Sequence, residues 1–151
     1  MNTTIDKNGF IQINIIVKDI ELAAEKWAEI LGIEKPVIKT NHLTGGEHYT
    51  YRGEPVSCDL KVCNIPMNGF VIELHQPVGG PSSFQEFIEK HGNGVHHLGF
   101  EVGDKRDAVI ESLGEAGFDT NRTLGIYPGS SWTIVDSEDV LGVNLNIKPH
   151  R

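Results

Sequence analysis

From residue 10 the chain alternates: Ile11, Ile13, Ile15 and Val17 fall on one face of an extended segment, and Gln12, Asn14 and Ile16 fall on the other. That is the period of a strand with one buried face. After Asp19 the period lengthens, and Leu22, Ala23, Trp27, Ile30 and Leu31 form a stripe at helical spacing. Asp19 suits the N-cap of such a helix and Gly32 its C-terminal stop. A shift of 85 positions, the separation of Gln12 and His97, lays this stretch on a second one. Gln12-Ile13-Asn14-Ile15 falls on His97-Leu98-Gly99-Phe100, Val17 on Val102, Asp19 on Asp104, Ala23 on Ala108, Gly32 on Gly117 and Ile33 on Phe118. The register runs without a gap through strand, cap, helix and stop, which indicates an internal duplication with two copies.

Each copy continues as strands. Residues 47–52, 56–65 and 70–76 follow the first helix, divided by Gly53-Glu54-Pro55 and Met67-Asn68-Gly69. Residues 123–126, 131–136 and 142–148 follow the second. Between the copies, Pro81 and Ser82 open a helix over residues 83–91, and Gly92 and Gly94 close it. The chain thus reads as one domain over residues 1–151. Its modules lie at about 10–78 and 95–149, joined by a connecting helix at about 83–92.

The polar faces of these strands carry the chemistry. Val143, Leu145 and Ile147 alternate with Asn144, Asn146 and Lys148; Phe70, Ile72 and Leu74 alternate with Val71, Glu73 and His75. Leu98, Phe100 and Val102 alternate with His97, Gly99 and Glu101. Opposite the apolar sets stand Gln12, Glu73, His97 and Asn146, two repeat-equivalent pairs that converge on the axis between the copies. Asn14 and Gly99, small groups beside them, leave room for a ligand. The plainer reading is a set of solvent-facing polar residues on half-exposed strands. His75, Tyr51 and Trp132 are further candidates to line the cup, and Tyr127, in the GIYPGSS loop, to edge a substrate. That loop leads into a strand, so it lacks the helix a phosphate cradle needs. His42, His48, His91 and His150 sit in loops or at the terminus without a motif.

Charge narrows the partners. A formal net charge of -8 and a pI near 5.3 oppose binding to nucleic acid or to acidic membrane surfaces. Cys58 and Cys63 fall at even and odd positions of one strand, point to opposite faces, and are expected to stay reduced. Residues 1–9 are polar and no apolar run reaches membrane-spanning length, so a cytoplasmic protein is expected.

Four stretches carry a family likeness: INIIVKD (13–19), VIELHQP (71–77), FQEFIEKHGNGVHHLGFEV (84–102), and Asp136-Ser137 with Leu141-Gly142-Val143. With them the chain resembles the vicinal-oxygen-chelate superfamily. Its members include lactoylglutathione lyase (glyoxalase), methylmalonyl-CoA epimerase, extradiol dioxygenases and bleomycin-resistance proteins. The third stretch is most like the epimerase branch. The resemblance implies an α+β fold: two tandem βαβββ modules forming a curved, cup-shaped mixed sheet with helices outside. It also implies a divalent metal ion (Mg, Mn, Co, Ni or Zn) held by one residue from each of four strands, and a homodimer.

By position the implied metal set is Gln12, Glu73, His97 and Asn146, with His96 facing the opposite side. The metal-binding relatives present His, Glu or Gln, His, and Glu in that order. Glu73 and His97 match; Gln12 and Asn146 are amides, weak ligands for zinc though tolerable for harder cations. In glyoxalases and epimerases the last carboxylate is a base, and Asn146 cannot take a proton. Glu73 is therefore the catalytic candidate, with Asn14, Asp59, Lys61, Glu101 and Tyr127 as substrate contacts. A CoA ester would also need cations near its phosphates, for which Lys18, Lys61 and Arg122 are available. Two readings follow. One is a metal-dependent lyase or isomerase moving a proton next to the carbonyl of a small α-carbonyl or acyl-thioester substrate. The other is a metal-free, antibiotic-like small-molecule binding protein.

Overall fold

A computed structural model describes residues 2–44 and 49–150. The alternating segments become strands and the longer-period segments helices. In chain order they are β1 (Phe10–Ile16), α1 (Ile20–Leu31), β2 (Lys39–Leu43), β3 (Tyr49–Tyr51), β4 (Glu54–Pro55), β5 (Cys58–Pro66) and β6 (Val71–Gly79). The connecting helix α2 (Ser83–His91) follows, then β7 (Gly94–Glu101), α3 (Arg106–Glu115), β8 (Asp119–Tyr127), β9 (Ser130–Asp136), α4 (Glu138–Leu141) and β10 (Asn144–Lys148). All ten strands join one curled mixed sheet in the order β2-β5-β6-β1-β7-β10-β9-β8-β3-β4. The first module, β2-β5-β6-β1, and the second, β7-β10-β9-β8, are related by a local two-fold axis between β1 and β7.

The register carries the same symmetry down to single residues. Across the antiparallel junction Gln12 opposes Gly99 and Asn14 opposes His97, two pairs that the 85-residue shift exchanges. On the flanking parallel pairs Glu73 opposes Asn14 and Asn146 opposes Gly99. Glu73 and Asn146 are therefore equivalent in space as well as in pattern. The irregularities are duplicated too: β1 has an extra residue at Ile11 and β7 one at His96.

Two helices pack on the convex side. On α1, Ile20, Ala24 and Ala28 are buried, and Ile20 and Ala24 pack with Ala23 and Trp27 on Cys63, Ile65, Ile72 and Leu74. Leu22 and Ile30 of the expected stripe face solvent, because small alanines let the helix approach the sheet on a neighbouring face. On α3, Val109 and Leu113 pack on Val135, Leu145 and Ile147. Asp19 caps α1 as expected, accepting from the Leu22 amide at 3.1 Å. Its counterpart Asp104 does not cap α3, since a 3-10 turn over Gly103–Lys105 intervenes.

Three features depart from the tandem pattern. The helix α2 lies on the concave side, where Phe84 and Phe87 pack with Ile16 and Leu60, so not every helix is outside. The strand β2, polar and exposed except at Leu43, carries no alternation that would reveal it. The expected strand over 47–52 begins in part outside the described residues; its described part, β3, leaves its own module and pairs with β8. Tyr49 is buried there against Trp132, their ring centroids 6.1 Å apart, and the second module's edge is covered. Both cysteines are free and buried, Cys63 under α1 and Cys58 near Tyr49. No helix of the described residues is long and apolar enough to cross a membrane.

Candidate functional site

A cavity of about 340 Å³ occupies the concave face. Its floor is polar: Gln12 from β1, Glu73 and His75 from β6, His97 from β7, and Asn146 and Lys148 from β10. Its wall is apolar: Leu43 from β2, Leu60 and Val62 from β5, Phe84 from α2, and Ile126 and Trp132 from β8 and β9. Tyr127 stands at the rim, 39% exposed. A few convergent polar groups inside an apolar rim are the usual make-up of a small-molecule pocket. The indole of Trp132 lies against Gly125 so closely that a Cβ there would overlap it.

The floor divides into two hydrogen-bonded groups. In the first, Asn14 Nδ2 donates to Glu73 Oε1 at 3.1 Å and to the Glu73 carbonyl at 3.4 Å, and His75 Nε2 lies 3.3 Å from the same Oε1. Glu73 Oε2 has no hydrogen-bond partner among the described residues. In the second group, His97 Nε2 contacts Gln12 Oε1 at 3.0 Å, and Asn146 Nδ2 lies 3.5 Å from that oxygen and 3.4 Å from His97 Nε2. Behind His97, its Nδ1 meets His96 Nδ1 at 2.9 Å.

Burial holds His97 and His96 well below the usual histidine range. Burial also lowers His75; the Glu73 carboxylate opposes that shift and the Lys148 ammonium adds to it. All three imidazoles are neutral at pH 7: a charge on His96 or His97 would lose hydration in the closed-in floor, and at His75 that loss outweighs the Glu73 carboxylate 3.3 Å away.

The sequence-predicted residues divide accordingly. Gln12, Glu73, His97 and Asn146 line one cavity, as do His75, Trp132 and Tyr127. Asn14 is fully buried and holds Glu73, so it supports the carboxylate and has no surface for a substrate. Gly99 leaves room for Gln12: a Cβ there would come within 2.8 Å of Gln12 Cβ and Oε1. Asp59, Lys61 and Glu101 do not line the cavity. Lys61 falls between Leu60 and Val62 and takes the other face of β5, and Asp59 pairs with His42 at 2.6 Å on the exposed edge. Tyr51 bonds Glu86, away from the cavity. Arg122 is buried among Asp136, Glu138 and Asn144, so no phosphate can reach it. His96 lies on the same side as His97, not opposite, because the extra residue in β7 breaks the alternation. Its ring packs between Phe84 and Phe87 at 5.1 and 5.2 Å.

Sequence reasoning did not assign Lys148 to the site, although it follows Asn146 by two positions on the same strand, and that spacing is the signal for it. Phe84 and the β2 wall had no such signal, since only tertiary packing brings them over the sheet.

As arranged, these residues do not fit a divalent ion. The set offers one carboxylate and one imidazole, and no three His, Cys, Asp or Glu side chains converge among the described residues. Gln12 Oε1 is engaged by His97 and Asn146, Asn146 Oδ1 has no partner among the described residues, and Glu73 Oε1 is engaged by Asn14 and placed beside His75.

The family model described as glyoxalase/bleomycin resistance protein/dioxygenase superfamily matches residues 11–134. No curated protein matches the sequence. Among solved structures, a hypothetical protein from Bacillus halodurans aligns with a TM-score of 0.62 at 20% identity, covering 92% of this chain and 91% of that one. Methylmalonyl-CoA epimerase from Mycobacterium tuberculosis aligns at 0.60 and 20% identity over 100% and 93% of the two chains. The Streptomyces coelicolor methylmalonyl-CoA epimerase, in complex with 2-nitronate-propionyl-CoA, aligns at 0.56 and 20% over 96% and 97%. At these identities the likeness establishes the fold.

Proposed function

Since the chain belongs to the glyoxalase/bleomycin resistance protein/dioxygenase superfamily, we propose that its cup binds a small α-carbonyl or acyl-thioester compound and moves a proton on the carbon next to the carbonyl, with Glu73 as the base. The observation that carries this reading is the placement of Glu73: a largely buried carboxylate in the cavity floor, one oxygen held by Asn14 and the other without a hydrogen-bond partner among the described residues. A held carboxylate with a free oxygen is a base in a defined position. Across the floor, Asn146 Nδ2 and the His97 ring offer groups for the carbonyl oxygen, and Lys148 adds positive charge where an enolate would develop. The apolar wall excludes water from the reacting carbon. An acyl thioester is supported as the substrate class by the epimerases whose fold this chain shares.

Superfamily members commonly use a divalent metal, and no step here is routed through one. A second reading, ligand binding without turnover, is favoured by one observation. Gln12, His97 and Asn146 form a neutral group joined through Gln12 Oε1, with amides where a metal site would have charged ligands. A homodimer belongs to the same proposal, supported by the exposed Ile30, Ile33 and Val37 after and along α1, and light scattering of the purified chain measures it.

The test is proton exchange. The protein is incubated in D2O with methylmalonyl-CoA, and loss of the α-proton signal is followed by NMR, with and without EDTA. Exchange that survives EDTA and is lost in Glu73→Gln supports the reading. Binding without exchange moves the assignment to the second reading, and exchange undiminished in Glu73→Gln removes Glu73 as the base.

A further inference from the structure

We infer that His96 fixes the tautomer of His97, so that the nitrogen His97 turns into the cup presents a hydrogen to a ligand oxygen rather than a lone pair to a metal ion. With the Gln12 amide oxygen turned to the ring the contacts agree on one arrangement, in which the Asn146 amide nitrogen, 3.4 Å from His97 Nε2, is a second donor to that oxygen and not a donor to the ring. Gln12 Oε1 has no hydrogen to give, so its 3.0 Å contact with His97 Nε2 requires the hydrogen on the ring. A neutral His97 protonated at Nε2 has a bare Nδ1, which at 2.9 Å must accept from His96 Nδ1–H. His96 is then bare at Nε2, the atom that has no hydrogen-bond partner among the described residues. The Asn146 amide, 3.5 Å from Gln12 Oε1, adds a second donor to the same oxygen.

The opposite tautomer pair carries two penalties. His97 Nε2 and Gln12 Oε1 would face each other lone pair to lone pair at 3.0 Å. His96 would bear an Nε2–H in a fully buried position with no acceptor. A buried donor without a partner is among the rarest arrangements in folded proteins, whereas a bare ring nitrogen is tolerated more readily. Burial keeps both rings neutral, which removes the arrangement with hydrogens on all four nitrogens. His96 is held for this task by Phe84 and Phe87 on either side, and it reaches His97 only because it is the extra residue of the β7 bulge. It is a positioning residue: it sets the hydrogen on His97 and does not itself line the cavity.

The chemical consequence is that a ligand's carbonyl or carboxylate oxygen reaches the His97 and Asn146 donors by displacing Gln12 Oε1 from between them. This deepens the proposed proton-transfer reading, and it rests on that reading only for the ligand; the tautomer is a property of the chain itself. The experiment separates the two. Long-range 1H–15N correlation of the 15N-labelled full chain at pH 7.5 reads each ring nitrogen directly. Hydrogen on His97 Nε2 and on His96 Nδ1 is expected, with no change of the His97 nitrogens on adding Co2+. In His96→Phe, which keeps an aromatic ring between Phe84 and Phe87, the His97 Nε2–H signal should weaken as the second tautomer appears. A bare His97 Nε2 in the unmodified protein, or its loss to Co2+, overturns the inference whether or not the variant folds. Absence of proton exchange with the tautomer as stated sinks only the proposed reaction.

Discussion

In the first half of the cup Asn14 lies beside Glu73 and gives its carboxylate a hydrogen bond of 3.1 Å. In the second half the equivalent neighbours are Gly99 and Asn146, and the space left by the missing side chain at 99 is filled by Gln12, reaching over from the first half. One half therefore holds a supported negative charge, and the other holds neutral groups around an amide oxygen together with the Lys148 ammonium of β10. Duplication made the frame symmetric, and substitution at equivalent places then gave its halves different chemistry. A symmetric cup would hold its ligand in two equivalent orientations. Separating an acid-base group from hydrogen-bond donors selects one orientation, as proton removal next to a carbonyl requires.

The sharpest way to break this contrast is at its charged end. Glu73→Gln should lower the proton-exchange rate by about 10²–10⁴-fold while leaving ligand affinity within a few-fold. The equivalent change on the neutral side, Asn146→Ala, should cost less, on the order of 10-fold to 10²-fold for one lost donor. Single-turnover exchange rates for the two variants compare the halves directly, and equal losses would remove the distinction.

The halves also differ in acid. His75 belongs to the first and His96 and His97 to the second, and all three are depressed chiefly by burial. A folded-state pKa below the unfolded value means that the unfolded chain binds protons first as the pH falls. Stability from these groups is therefore fully present above the ordinary histidine range and is lost progressively as the pH falls through and below it. Urea midpoints across pH 7.5 to 5.5 should fall, and His75→Phe should flatten the decline less than a variant replacing both His96 and His97.

Packing gives the next effect. Gly99→Ala places a methyl 2.8 Å from Gln12 Cβ and Oε1, and should destabilise by about 1–3 kcal/mol as an overpacked site, measured by urea unfolding. The smallest effect is at the rim: Tyr127→Ala should weaken ligand binding by about 2- to 10-fold through lost aromatic contact and shift stability by less than about 0.5 kcal/mol. Calorimetry and a melting curve on the same sample separate those two outcomes.

Much of the frame is legible along the chain because a strand and a helix each bury one face. Period two exposed β1, β6, β7 and β10, and the 85-residue shift exposed the equivalence of β1 and β7. The floor residues Gln12, Glu73, His97 and Asn146 followed from that alternation and meet in one cavity. Alternation failed at His96, where one extra residue reverses the faces, and a bulge has no signature in hydrophobic order. Asp59 was placed in the site by nearness in sequence, although strand neighbours point apart, and Glu101, on the face of His97 and opposite Lys148, lies beyond the cavity lining. The stripe on α1 was misread because alanines, weak as hydrophobic signals, are the residues that allow close approach to the sheet.

The sequence alone therefore determined the duplicated modules, the strand faces and the four floor positions, because these depend on local periodicity and on equivalence between copies. Only the tertiary structure decided that α2 closes the cup from inside, that β3 crosses to cover the far edge, and that the floor atoms bond to one another. Those outcomes depend on which groups meet across long separations in the chain. They are settled by burial, by the need of each buried polar atom for a partner, and by the space left between elements once they pack.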